Sequence, residues 1–260
     1  MTRVPGSVTV QSLIALLESL EQRGDLVRIG IWTSIAAACF ACGCGRSNPP
    51  LIDAVKAGNT EQVVDLISRG ADVNLAGKKK ATLLHYAARQ GNPDIIMALL
   101  KAGANPNAKT DAEGTPLFFA VDNRHMDAVD RLIAGGANVN AQDQLLCTPL
   151  HFAAGSGAPD FVAALLDRGA AADPVNSNGE TPLHFAAFHG QTNCVRVLLE
   201  HGAKLDTKTN AGKTPLELAE ANKHSAVAAM LRAAEAQRAP RSEELKTSAK
   251  TIPMADPENK

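Results

Sequence analysis

The sequence predicts an all-α solenoid of stacked helix–turn–helix units joined by short hairpin or turn fingers. Three observations predict it. The positions of Thr82, Thr115, Thr148, Thr181 and Thr214 rise by a constant 33 without a slip. The Gly-Ala pairs beginning at Gly70, Gly103, Gly136, Gly169 and Gly202 keep the same interval. Between these markers the apolar residues fall into two helical runs per period. So strict a period means supersecondary units that each contact only their neighbours. Such a stack offers a long surface to a partner and little deep concavity for chemistry.

Each element of the unit has a local cause. Thr148-Pro149-Leu150-His151-Phe152-Ala153-Ala154 and Thr181-Pro182-Leu183-His184-Phe185-Ala186-Ala187 open the first helix. Threonine is a good N-cap, because its hydroxyl accepts from an amide left orphaned in the first turn. Proline suits the first helical position, where no amide proton is missed. Leucine followed by alanines lets this short helix press closely on its neighbours. A second apolar run, as in Val195, Val197, Leu198 and Leu199, ends at Gly202-Ala203. Glycine there takes the left-handed conformation that a helix C-terminus commonly needs. The stretch from each Gly-Ala pair to the next threonine is rich in Asn, Asp, Lys and Gly, and predicts a turn or short hairpin.

A turn plus two helices at this period, carrying Thr-Pro-Leu-His-x-Ala, resembles the ankyrin repeat. The resemblance covers residues 47–235 as six units, starting near Pro49, Thr82, Thr115, Thr148, Thr181 and Thr214. The first unit has Pro49-Pro50-Leu51-Ile52 in the motif's place, and the last has Glu217 in the histidine slot, as capping repeats would. The second has Leu83 where proline is usual. The third has Phe118 for histidine, and Arg124 where its neighbours carry Gly91, Gly157 and Gly190. A strained or differently built turn is expected at Arg124. The resemblance gives Thr82, His85, Thr115, Thr148, His151, Thr181, His184 and Thr214 structural roles, the histidines bridging backbone and threonine between repeats.

The flanks differ from the repeats. Residues 1–46 hold an apolar patch (Leu13, Ile14, Leu16, Leu17, Leu20) and an uncharged run from Ile29 to Gly45, between Arg28 and Arg46. A basic flank, a short apolar region and small residues form the layout of a secretory signal. Ile35-Ala36-Ala37-Ala38-Cys39 resembles a bacterial lipoprotein signal, with Cys39, or else Cys44, as the lipidated residue. An uncleaved membrane anchor is open too, since the run from Ile29 to Gly45 lies at the lower edge of a bilayer span. So are a helix capping the stack and a metal site at Cys39, Cys42 and Cys44, which lacks a fourth ligand. The stretch ahead of Arg28 is long for a signal's basic region; either translation starts near Val27, or the apolar patch is a short cytoplasmic helix ahead of a membrane anchor. Residues 236–260, polar and poor in large apolar residues, predict a disordered tail.

Composition narrows the function. A net charge of −1 gives no global field toward nucleic acid. Lys78-Lys79-Lys80 is the one dense basic cluster, a solvated turn rather than a phosphate site. The chain has no Ser-His-Asp order, HExxH, P-loop or GxGxxG. Gly155-Ser156-Gly157 has no strand before it, so it is no nucleophile elbow. No enzyme activity, cofactor or structural metal is expected, nor a disulfide between Cys147 and Cys194.

The function expected is recognition of another protein by a monomeric scaffold, exported and lipid-tethered in the cell envelope. A soluble intracellular regulator and a membrane-held accessory subunit of an enzyme are the alternatives. By resemblance, partners dock on the fingers and on the exposed inner-helix face. The finger residues are Lys78, Lys79, Asp111, Gln144, Leu145, Ser177, Asn178 and Asn210. The residues directly before each threonine (Ala81, Gly114, Cys147, Glu180, Lys213) join them. The inner-helix residues are Arg89, Gln90, Asp122, Asn123, Ser156, Phe188 and His189. Leu145 and Phe188 are the expected hot spots, being apolar where polar residues would cost less in water.

Overall fold

The computed structural model describes residues 49–249, and the signal-like segment with Cys39 and Cys44 lies outside them. Six helix pairs follow one another: α1 (Pro49–Lys56) and α2 (Thr60–Ser68); α3 (Leu83–Gln90) and α4 (Pro93–Lys101); α5 (Pro116–Asp122) and α6 (Met126–Ala134); α7 (Pro149–Gly155) and α8 (Pro159–Asp167); α9 (Pro182–Phe188) and α10 (Thr192–Glu200); α11 (Pro215–Ala221) and α12 (Ser225–Ala249). The fingers are turns; among the described residues the one β-bridge pairs Ala76 with Thr82.

Each inner helix packs on its own outer helix and on the inner helices before and after it. The small residues allow this. Ala87, Ala88, Ala120, Ala153, Ala154, Ala186 and Ala187 are fully buried, with Leu83, Leu117, Leu150 and Leu183 as the large side chains between them. One continuous core therefore runs from Leu51 to Leu231. Truncating one of these leucines to alanine removes contact on two repeats at once, at a cost of about 2–5 kcal/mol.

Two sets of hydrogen bonds fix the register between units. In the first, the Thr82 amide donates to His85 Nδ1 at 3.0 Å. The ring proton must then sit on Nε2, which donates to the Gly114 carbonyl at 3.0 Å. His151 reaches the Glu180 carbonyl in the same way at 3.0 Å, and His184 reaches that of Lys213 at 3.1 Å. In the last unit Glu217 Oε2 accepts the Thr214 amide at 3.0 Å. A carboxylate has no proton to pass onward.

The second set runs through Asn74, Asn107 and Asn140, which keep the repeat interval. Each donates its side-chain amide to the Gly carbonyl ending an outer helix, Gly103, Gly136 or Gly169, at 3.0–3.2 Å. Each also accepts a backbone amide from just beyond, that of Asn105, Asn138 or Ala171, at 2.7–2.9 Å. Asp173 takes the fourth position and accepts the Lys204 amide at 2.9 Å.

At the C-terminal end the last helix enters the stretch expected to be a disordered tail. Helix α12 does not stop near Gln237 but runs on to Ala249. Ala, Arg, Glu, Lys and Leu in this stretch favour helix, whereas Pro240 removes one of its backbone bonds. At Arg124 the turn is built as in its neighbours. Arg124 adopts φ +59°, beside +71° at Gly91 and +68° at Gly157. Its guanidinium donates to the Ser156 carbonyl at 2.6 Å.

Candidate protein-binding face

The fingers are held in a row by backbone bonds between repeats. The Asp111 amide donates to the Lys79 carbonyl at 3.0 Å, Ser177 to Leu145 at 2.8 Å, and Asn210 to Asn178 at 2.8 Å. Several polar residues expected at a docking surface are committed to this scaffold. Gln144 donates its amide to the Asp111 carbonyl at 2.6 Å, and Asn210 to that of Ser177 at 3.0 Å. Gln90 donates to the Lys56 carbonyl at 2.6 Å, and Asn123 to that of Phe119 at 2.8 Å. Their amides hold backbone in place. Lys78, Lys79, Arg89, Asp122, Ser156 and His189 point to solvent, as do Ser177 and Asn178.

The residue before Thr148 departs from the expected surface. Cys147 is buried, and Asn176 Nδ2 lies 3.6 Å from its sulfur. Burial pushes its thiol above the ordinary value, and pushes that of Cys194 up to about 11. Neither is a reactive thiol. Among the described residues no group of His, Cys, Asp and Glu is arranged to hold a metal.

Apolar side chains are exposed where hot spots were expected. Leu145 is 61% and Phe188 47% accessible, and Phe188 meets His189 edge to face at 5.0 Å. Gly155 has a local purpose beside them. A side chain there would press on Phe185 and His189 at 3.3–3.4 Å, so glycine lets both rings lie across it. Leu146 is also exposed and holds φ +59°. Gly179 and Gly212 hold the same turn position one and two repeats further on.

One feature was not found from sequence. Thr110, Ala112 and Gly114 of a finger, with Phe118, Phe119, Asp122, Asp143 and Phe152, line a pocket of about 200 Å³. Phe118 and Phe152 meet edge to face at 5.4 Å, and so do Phe119 and His85 at 5.3 Å. Phe119, Phe152 and Phe185 share the repeat interval, which was the available signal. It reads as core until the spacing between inner helices is known.

The N-terminal expectations all fall on residues outside those described. No described helix is long and apolar enough to cross a membrane.

Comparisons agree with this geometry. The family described as "Ankyrin repeats (3 copies)" matches residues 51–143 and 150–239. A crystal structure of an ankyrin repeat domain from Acinetobacter baumannii AYE superposes with a TM-score of 0.67 at 24% identity, covering 73% of this chain and 99% of that one. No curated protein sequence matches the chain.

Proposed function

From the premise that this chain belongs to the ankyrin repeat family, we propose that it is a non-enzymatic scaffold that binds another protein along its fingers and inner-helix ends. Ankyrin repeats generally mediate binding to other proteins. The observation that carries the reading for this face is the exposure of Leu145 and Phe188, two large apolar side chains on turns and helix ends already ordered by the stack. Preorganised apolar anchors lose little entropy on docking. On the fingers Gln144 and Asn210 are held by bonds to backbone carbonyls.

We propose further that the uncharged run from Ile29 to Gly45 directs export and lipid attachment at Cys39 or Cys44, placing the scaffold in the cell envelope. Its support is the residue pattern alone: a basic flank, a short apolar stretch and small residues before a cysteine.

The test of the binding face is affinity capture from extracts of the native cell with wild-type and Leu145→Asp/Phe188→Ala bait. Proteins retained by the first and lost with the second, at equal helical content and melting temperature, are the expected result. Equal recovery on both baits would remove this face from the proposal. Mass spectrometry of the N-terminus tests the tether, and an intact, unmodified chain from Met1 would overturn it.

A further inference from the structure

We infer that the pocket between the third and fourth inner helices receives an arginine side chain from the bound polypeptide. The inference rests on the interaction-scaffold reading and specifies what one part of that surface recognises. At about 200 Å³ the pocket is smaller than the cavities that take small-molecule ligands and suits one large side chain. Its lining residues include three phenylalanines, Phe118, Phe119 and Phe152, and the charged ones are Asp122 and Asp143, with no lysine or arginine among them.

Those carboxylates are available. Asp122 is exposed and makes no ion pair among the described residues. Asp143 uses Oδ1 to accept the Leu145 and Cys147 amides at 2.9 and 2.8 Å, and no described hydrogen bond engages its Oδ2. A neutral apolar occupant would leave Asp143 Oδ2 and the Asp122 carboxylate without a partner. An acidic one would be repelled. A cation on a long apolar stem fits both features, the stem against the rings and the charge toward the acids. Arginine fits better than lysine, because its flat guanidinium stacks on a ring face while its N–H fork still meets carboxylate oxygens.

The test pans a random dodecapeptide phage library on the full chain. Selected peptides are then synthesised and their affinity measured by titration calorimetry. Peptides sharing an arginine are expected. Replacing that arginine by glutamine should weaken binding at least tenfold, as should Asp122→Asn or Phe152→Ala in the protein. Replacement by lysine should weaken it less. Both protein variants alter side chains at the surface, and circular dichroism checks that they fold.

Selected peptides without a basic residue, or ones indifferent to Asp122→Asn and Phe152→Ala, overturn the assignment. If such peptides instead lose affinity with Leu145→Asp/Phe188→Ala, the wider binding face survives without the arginine pocket. Peptides indifferent to all four substitutions, or no enrichment at all, count against both.

Discussion

The Thr115 hydroxyl lies buried without a hydrogen-bond partner, because Phe118 stands three residues on, where neighbouring repeats place a histidine. In those repeats the Thr82, Thr148 and Thr181 hydroxyls lie 2.8–3.0 Å from the Nδ1 of His85, His151 and His184. A buried hydroxyl with no partner has lost its water and gained nothing. Removing it should therefore help. Thr115→Val is expected to raise stability by about 1 kcal/mol, whereas Thr148→Val should lower it by about 1–2 kcal/mol through loss of a satisfied cap. Urea denaturation midpoints of the two variants decide it: the same sign for both would refute this account of Phe118.

Asp173 offers a second correction of the same kind. It accepts the Lys204 amide, as Asn140 accepts that of Ala171, but a carboxylate cannot donate to the Gly202 carbonyl as Asn140 does to that of Gly169. Asp173→Asn restores the missing bond and should add about 1 kcal/mol. Asn140→Ala removes both bonds from an equivalent joint and should cost about 1–3 kcal/mol. Thermal melts of the two variants should shift in opposite directions.

Leu146 carries a cost on two counts, a left-handed backbone at φ +59° and 45% of its surface in water. Gly179 and Gly212 do the same turn at φ +74° without a side chain. Leu146→Gly should stabilise the fold by about 1 kcal/mol. Its readout is the chemical denaturation midpoint, and a destabilised variant would mean that the Leu146 side chain packs on its own finger. A stabilised variant that also binds its partner more weakly would show that the leucine is kept for contact.

What the sequence made legible follows from the range of each interaction. Thr148, Pro149 and His151 cap a helix within a single turn, so the motif alone declared the unit. The left-handed ends at Gly103 and Gly136, φ +87° and +90°, were equally local. The Asn74, Asn107 and Asn140 ladder went unread because each carbonyl acceptor lies far along the chain, in the next repeat. The Phe118–Phe152 pocket is hidden for the same reason: it exists only once two inner helices are set side by side. Arg124 shows the converse. Glycine at its equivalents is forced by space as well as by φ, since an added Cβ would collide with His125, Gln191 or His224. The residue at the corresponding place after Arg124 is Ala158, and the constraint of space is reduced there.

That contrast makes Gly157 and Gln191 a testable pair. Gly157 has φ +68°, and its added methyl would strike the Gln191 amide, which itself donates to the Gly155 carbonyl at 3.3 Å. Gly157→Ala should cost about 2–3 kcal/mol, combining backbone strain with the displaced amide. In the Gln191→Ala background the same change should cost less, leaving the strain of about 1–2 kcal/mol. A double-mutant cycle on denaturation free energies measures the difference, and strict additivity would deny that the two residues compete for one space.

The three bridging histidines set the response to acid. Burial lowers the pKa of His85, His151 and His184 below the ordinary 6.5, against weaker opposing effects from the carbonyls they bond. Each Nδ1 already accepts a backbone amide, so a second ring proton would face an N–H and break the cap. With the folded value depressed, the unfolded chain binds more protons as pH drops below 6.5. Stability is therefore fully present above that value and is lost as pH falls toward the folded values. The steepest loss is about 1.4 kcal/mol per pH unit for each histidine. His201 runs the other way, raised chiefly by its bond to the Val197 carbonyl, with stability lost as pH rises, but it is exposed and its effect is small. Urea midpoints at pH 7.5, 6.5 and 5.5 should fall together with pH. His151→Gln should lower stability at pH 7.5 and flatten the slope by about a third, because one of three linked protons is gone. An unchanged slope in that variant would mean that the acid response comes from elsewhere in the chain.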